Sequence, residues 1–432
     1  MAHPVSEPDC AIGFERSRSL CLNPNPESIC GRLDCSMVHD STGFSLENIT
    51  AGQAQMAYVM KVLVDKANPA LFELLDLNDD RIFLEPLLFA YFNSPSPLVS
   101  LEQILFGYIE NDRKPGVEAY ADENGIVNVP GIGDLRTTYP NERLRLSWDD
   151  VIRACVLEFH DGRVDFELQS PRYLEGSNIE ICRYNHPLLK RFYTSPDGNA
   201  LDVEVIHSID HFEKLNKTLR IVENCCPSYF HEIMAVAKRI VVFRNYQVRP
   251  FVTISAHGTV FLSGNEKSDE LFFLAEIIHQ FGHNILNAVL FETSDYFRID
   301  PRTPIANYTL SESDHRTILS AFHGLYTTTK IAECFDIIFD KNIFHGKQRH
   351  ELLGRLADNA DRTTTGFEQL DRSTIFTEQG EFMYQRMKEI CHDIYARRAD
   401  LLAPLDTSNQ PFVFDYDLFL QRNALTELQE HE

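Results

Sequence analysis

Between Leu271 and Phe291 the chain reads LFFLAEIIHQFGHNILNAVLF, with apolar residues at almost every position around a helical wheel. That pattern predicts one long, largely buried helix. Other stretches are one-sided. Phe212, Leu215, Leu219 and Val222 recur with a helical period, and a further helix is expected over about Ser228–Lys238. Arg249–Ser255 and Thr259–Ser263 alternate and carry β-branched residues, with Ala256-His257-Gly258 between them, which is the pattern of a hairpin. Ser268-Asp269-Glu270 then offers a helix start with an acidic first turn. Two more long helices are expected, at about Ser313–Phe339 and at Glu378–Arg397, with a polar connection, NADRTTTGFEQLDRST, between them.

The N-terminal half is less regular. Residues 1–45 are rich in Pro, Ser, Asn and Cys and show no sustained period, so they read as an arm or tail. Thr50-Ala-Gly-Gln53 is a capping-box pattern opening a helix to about Lys66, and Ser100-Leu-Glu-Gln103 opens another near 101–110. Ser147 is placed to cap a helix from Trp148 to about Phe159, followed by short extended pieces at 163–170 and 178–184. The expected fold class is mainly α, α+β: a mixed helical domain over 46–200, a helical domain with a small β-hairpin over 201–400, and a tail at 401–432. A chain of 432 residues suits two domains or one large elaborated one.

Charge narrows the partners. The formal net charge is -24, against a nucleic-acid or anionic-membrane surface, because phosphate contacts need concentrated Lys and Arg. No apolar run reaches membrane-spanning length, and MAHPVSEPDC lacks the basic and apolar regions of a signal peptide, so a cytoplasmic protein is expected. Ten cysteines in a chain this long suit a reducing compartment; Cys10, Cys21, Cys30 and Cys35 form no CxxC. Asp76–Arg81 (DLNDDR) lacks the glycine and the final glutamate of a calcium loop.

The candidate chemistry sits in the central helix. His279 and His283 are four residues apart, so both imidazoles project from one face about 6 Å apart, a spacing at which they can share a metal ion. An imidazole on an apolar helix is also often a hydrogen-bonded core residue, and spacing alone does not separate the two readings. A zinc peptidase carries glutamate after the first histidine as general base; here that position is Gln280, an amide without basicity. Glu276 lies on the same face, as a third ligand or as a carboxylate that orients an imidazole. A second pair, His207 and His211, stands beside the Leu215–Leu219 stripe and reads as boundary histidines. On the expected helix at 313–339, Arg316, His323 and Lys330 recur every seven residues, and Gly324 removes a side chain next to His323. Glu276-x-x-His279 and Glu389-x-x-His392 resemble the paired motifs of a di-iron bundle, with Glu333 a candidate further carboxylate; Glu204-x-x-His207 shows how readily the pattern arises.

The order of these pieces resembles the α-ketoglutarate-dependent HExxH-type peptide β-hydroxylases. The likeness covers about residues 205–390: an extended segment ending in FLSG, the helix LAEIIHQFGHNILNAV, the block RTILSAFHGLYTTTKIAECF, and the closing FTEQGEFMYQRM, similar to that family's terminal threonine-glycine helix. In the middle block the family's arginine, the position before its glycine, and its tyrosine are Arg316, His323-Gly324 and Tyr326. The first 200 residues carry no such likeness. The resemblance implies an Fe(II) enzyme that uses α-ketoglutarate (2-oxoglutarate) and O₂ to hydroxylate a side-chain β-carbon of a ribosomally synthesised precursor peptide. It matches His279 and His283 to helix ligands, with His323 as third ligand ahead of Glu276 or Glu333. Arg316, and secondarily Lys330, would then pair with the keto acid's carboxylate. Gln280 departs from the family's glutamate, which weighs against hydrolysis more than against oxygenation. The rival expectations are a zinc hydrolase, a non-catalytic peptide-binding protein and a di-iron oxidase. The acidic chain suits a peptide with a basic segment; oligomeric state stays open.

Overall fold

The computed structural model describes residues 45–425, except 161, 196, 309–313, 315, 370–373 and 412. The expected arm, with Cys10, Cys21, Cys30 and Cys35, lies outside them apart from Ser45. Thirteen α-helices and eleven short strands make the described chain mainly α, with α+β character, as its periodicity predicts.

Helix α1 (Leu46–Ala67) starts five residues earlier than the Thr50 pattern suggests, with Ser45 as its N-cap. Ser45 donates its backbone N–H to Asn48 Oδ1 at 2.9 Å, while Thr50 sits inside the first turn and donates its hydroxyl to the Leu46 carbonyl. Four short helices follow: α2 (Pro69–Phe72), α3 (Asp80–Phe83), α4 (Pro86–Phe92) and α5 (Leu101–Leu105). Asp79 of the acidic DLNDDR run accepts from the Arg81 N–H and so caps α3. Ser100 caps α5 as expected, at 3.1 Å from the Gln103 N–H, but the α-helix ends at Leu105.

Seven strands come next: β1 (Val117–Tyr120), β2 (Ile126–Val129), β3 (Gly133–Arg136), β4 (Arg143–Asp149), β5 (Ala154–Phe159), β6 (Gly162–Val164) and β7 (Glu167–Gln169). They form antiparallel sheets ordered β1-β4-β5-β6 and β2-β3-β7. The helix expected over 148–159 is therefore absent, and β4 and β5 pair across a turn in its place. The alternation of exposed Arg143 and Arg145 with buried Leu144 and Leu146 decides for a strand, and Arg153 turns the chain at φ 50°. These sheets enclose a core of their own, built on Val127, Val129, Leu135, Leu144, Leu146 and Leu157.

The rest shares the larger core. It contains β8 (Glu180–Ile181), β9 (Glu204–Val205), α6 (Ile209–Cys225), α7 (Pro227–Val236), β10 (Arg239–Arg244), β11 (Thr259–Ser263), α8 (Glu270–Val289), α9 (Ile318–Asp340), α10 (Gly346–Gln369), α11 (Glu378–Arg397), α12 (Ala399–Leu402) and α13 (Tyr416–Arg422). Strand β10 pairs parallel with both β8 and β11, and antiparallel with β9. This replaces the expected hairpin, of which one antiparallel bridge, Phe251 with Phe261, remains. The five buried residues Arg239–Phe243 give β11 a deeper partner than the Arg249–Ser255 segment offers.

Helix α8 lies at the centre, packed by α1, α6, α7, α9 and β11, which is why its sequence is apolar on every side. Residues from α1 to α5 bury in this same core, so the first part of the chain supports the site helix directly. Helix α10 occupies much of the stretch expected as a polar connection. Its inner face runs Leu352, Leu356, Asn359, Thr363 and Phe367, and two polar members of that stripe hide its period. Asn359 donates to the Thr328 carbonyl of α9 at 2.9 Å. Within the expected C-terminal tail, α13 docks on α10 through Tyr416, whose hydroxyl lies 3.0 Å from His350 Nδ1. Among the described residues no helix is long and apolar enough to cross a membrane.

Candidate functional site

Two helices build the site. Asp269 caps α8 by accepting from the Phe272 N–H at 3.0 Å, and Thr317 caps α9 by accepting from the Ser320 N–H at 3.1 Å. The helices pack closely near the histidines: a Cβ on Gly282 of α8 would lie 3.1 Å from Thr327 Cγ2 of α9. His279 and His283 therefore look toward α9 from a partly open edge, and His323 looks back, nine-tenths buried.

The tertiary fold brings the three imidazoles together. His283 Nδ1 and His323 Nδ1 are 3.2 Å apart, with the rings near-parallel at 15° and 5.5 Å between centroids. The ring of His279 lies 4.9 Å from that of His283. Burial lowers His279 and His323 to about 4, and it takes His283 well below the ordinary histidine range, with the neighbouring imidazoles adding to the effect. All three are thus neutral near pH 7. Neutral imidazoles are the form that binds a metal. Two ligand atoms on one ion, each about 2.0–2.1 Å from it, stand roughly 2.8–3.0 Å apart in octahedral and 3.3–3.4 Å apart in tetrahedral geometry, so the His283–His323 separation is compatible with a shared ion. It equally suits one imidazole donating a hydrogen bond to the other. Among the described residues no group of three or more His, Cys, Asp or Glu side chains is already arranged to hold a metal ion.

The remaining candidates separate. Glu276 is buried, and burial raises its carboxyl above the usual glutamate range against the Gln280 hydrogen bond and Arg355. Gln280 donates its amide to Glu276 Oε2 at 3.2 Å, so the residue standing where a hydrolase has its base is spent on a carboxylate one turn back. Glu333 lies ten residues beyond His323, roughly 15 Å along the helix axis, and pairs with Lys330 at 3.4 Å. These placements leave Glu276 as the nearer alternative ligand.

Arg316 does not share a helical face with His323 and Lys330. Helix α9 begins at Ile318, and the expected start at Ser313 lies outside the described residues. Arg316 occupies the approach to the helix and forks onto Asp314, with Nε to Oδ1 at 3.0 Å and Nη2 to Oδ2 at 2.8 Å. The same Asp-x-Arg fork occurs at Asp79–Arg81, and a looser form at Asp300–Arg302, so it is a local chain motif. Lys330 is fully buried, 3.8 Å from Glu232 of α7 and over the ring of Tyr229. Nothing in the sequence spacing links position 330 to Glu232; only the packing of α7 on the site does.

Gly324, beside His323, faces open space, with nothing from outside its own stretch of helix within 4 Å of where its Cβ would stand. Ser208 caps α6 by accepting from the His211 N–H at 3.1 Å; His211 is buried there with its Nε2 3.0 Å from the Asn265 carbonyl, while His207 is exposed before the helix. His392 is exposed beside Asp393, and Glu389 pairs with Arg386, which places the second ExxH motif away from the imidazoles. Comparison of the chain with protein-family models and with curated proteins finds no match.

Proposed function

We propose that the protein is an Fe(II)- and α-ketoglutarate-dependent hydroxylase acting on a side-chain β-carbon of a ribosomally made peptide. The observation that carries this reading is the approach of His323 to the α8 histidines, which joins two separate sequence blocks of the family likeness at one point. The donor set fits iron: neutral imidazoles suit Fe(II), and a site with few protein ligands leaves room for a chelating keto acid and O₂. His279, His283 and His323 would hold the ion. Iron with a keto acid and O₂ supplies an oxidant able to take hydrogen from an unactivated C–H bond.

The chain's own residues do the rest. The α8–α9 core excludes water from one side of the imidazoles and keeps them deprotonated. Gln280 leaves the position after His279 without a base and donates its amide to Glu276, which favours oxygenation over hydrolysis. The open space at Gly324 is the place for a substrate or co-substrate to approach. Arg316 can offer a carboxylate its two-pronged fork once Asp314 gives it up.

Anaerobic titration of the apo-protein with Fe(II), then α-ketoglutarate, tests the reading. A visible charge-transfer band that is lost in His283→Ala and His323→Ala supports it. Iron binding without a band moves the assignment to a metal protein that does not chelate the keto acid. Absence of metal binding removes the enzyme reading and leaves a peptide-binding protein, to be sought by complex formation without mass change.

A further inference from the structure

Between α6 and the connection from α9 to α10 runs an open groove of about 380 Å³. Its apolar floor is half-buried Ile221 of α6 with Ile343 and Phe344 of the connection, Ile343 being 38% exposed. Two cations stand over that floor, Lys217 and Arg220, one helical turn apart on α6 with side chains 63% and 59% exposed. The one carboxylate in the lining, Glu270 at the start of α8, is bonded to Lys217 at 3.1 Å. From the other side the first turn of α10 reaches the groove through Gln348 and carries Lys347 without an acidic residue. The positive end of a long helix therefore adds to the two cations. Asp269, which Gln348 meets at 3.1 Å, is spent on capping α8. On a chain of net charge -24 this is a locally basic surface over an apolar floor. The Lys217–Glu270 and Arg220–Glu175 pairs do not close it, because ion pairs between exposed side chains contribute little net and exchange partners readily.

We propose that this groove docks an acidic peptide segment, one in which a bulky apolar side chain sits beside carboxylates. The apolar residue lies on Ile221, Ile343 and Phe344, and the carboxylates take over Lys217 and Arg220, the guanidinium in a two-pronged fork. The inference rests on the peptide-substrate reading above and names the part of the peptide that is held rather than changed. The whole-chain charge favours a basic partner, but docking is decided by the charges within a Debye length, about 8 Å, of the contact. Glu270 lies nine residues before His279, roughly 14 Å along the axis of α8. A peptide that occupies both places therefore needs at least about four extended residues between its docking segment and the residue offered to the imidazoles.

The test is an affinity selection from a displayed library of random linear peptides on the full-length protein, at low salt and without iron or keto acid. Enrichment of Asp or Glu next to Leu, Ile or Phe is expected. The enriched peptides should bind at least about tenfold more weakly to the Lys217→Glu/Arg220→Glu protein, where like charges now meet, and to Ile343→Ser. The Arg143→Glu/Arg163→Glu protein carries the same charge change on the small sheets and is expected to bind them as the wild type does. Enrichment of Lys or Arg, no enrichment, or affinity unchanged in Lys217→Glu/Arg220→Glu would overturn the proposal. So would an equal loss in the Arg143→Glu/Arg163→Glu protein. Enrichment kept while the iron–keto acid band fails supports docking and removes the enzyme reading; the band kept without enrichment removes docking alone.

Discussion

His283 Nδ1 and His323 Nδ1 face each other at 3.2 Å across the contact between α8 and α9. Forty residues separate them in the chain. Without an ion one ring must donate to the other, and with an ion both must be deprotonated there. The relationship predicts that His283→Ala and His323→Ala each weaken Fe(II) or Co(II) binding by at least about tenfold, since each removes one direct ligand. Isothermal titration checks this, with far-UV circular dichroism to show that the fold persists. Equal affinity in wild type and both variants would mean the pair is a hydrogen bond of the core.

Gly324 separates stability from site access. Its Cβ position is open, so Gly324→Ala is expected to raise helix stability by about 0.5–1 kcal/mol and increase Tm. Gly324→Leu should fold as well but fill the space beside His323, reducing turnover or keto-acid affinity several-fold. Unchanged activity in the leucine variant would place substrate elsewhere.

Lys330 is held between Glu232 and Glu333, 2% exposed. Replacing it by methionine leaves buried carboxylates without that cation, a change expected to cost about 3–5 kcal/mol. Adding Glu232→Gln to Lys330→Met should recover part of the loss. Urea unfolding of the two variants measures it, and a single variant as stable as wild type would show that the cation contributes nothing net.

Acid should destabilise the protein well before its carboxylates are all protonated. Burial lowers His186 and His257 to about 3 in the fold, against an unfolded value near 6.5. The unfolded chain therefore binds more protons between those values, so stability present above pH 6.5 is lost as pH falls toward 3. Burial raises the carboxyls of Asp134, Glu180 and Glu276, and these act in the opposite sense at the acid end. Tm is expected to fall from pH 7 to pH 5, and less so in His257→Gln. An identical slope in the variant would remove His257 as a cause.

The sequence by itself determined the elements whose periods are unambiguous and the chemistry that lies within one helix. The apolar run at 271–291 could only be a central helix, because no outward-facing element buries every side. The helix at 378–397 was likewise legible to its ends. Four-residue spacing put His279 and His283 on one face, and Gln280 denied that face a base. What the chain could not fix were elements with a mixed inner face or a deeper partner elsewhere. Helix α10 buries Asn359 and Thr363 because α9 and α11 supply partners for them, and sequence shows the polarity without the partner. Strand β11 pairs along its length with β10, and with its neighbour only at Phe251, because the buried run Arg239–Phe243 lies alongside. The approach of His323 to His283 and of Glu232 to Lys330 belongs to the tertiary structure. Each depends on the packing of helices far apart in the chain, and local periodicity sets which face a residue occupies without setting what that face meets.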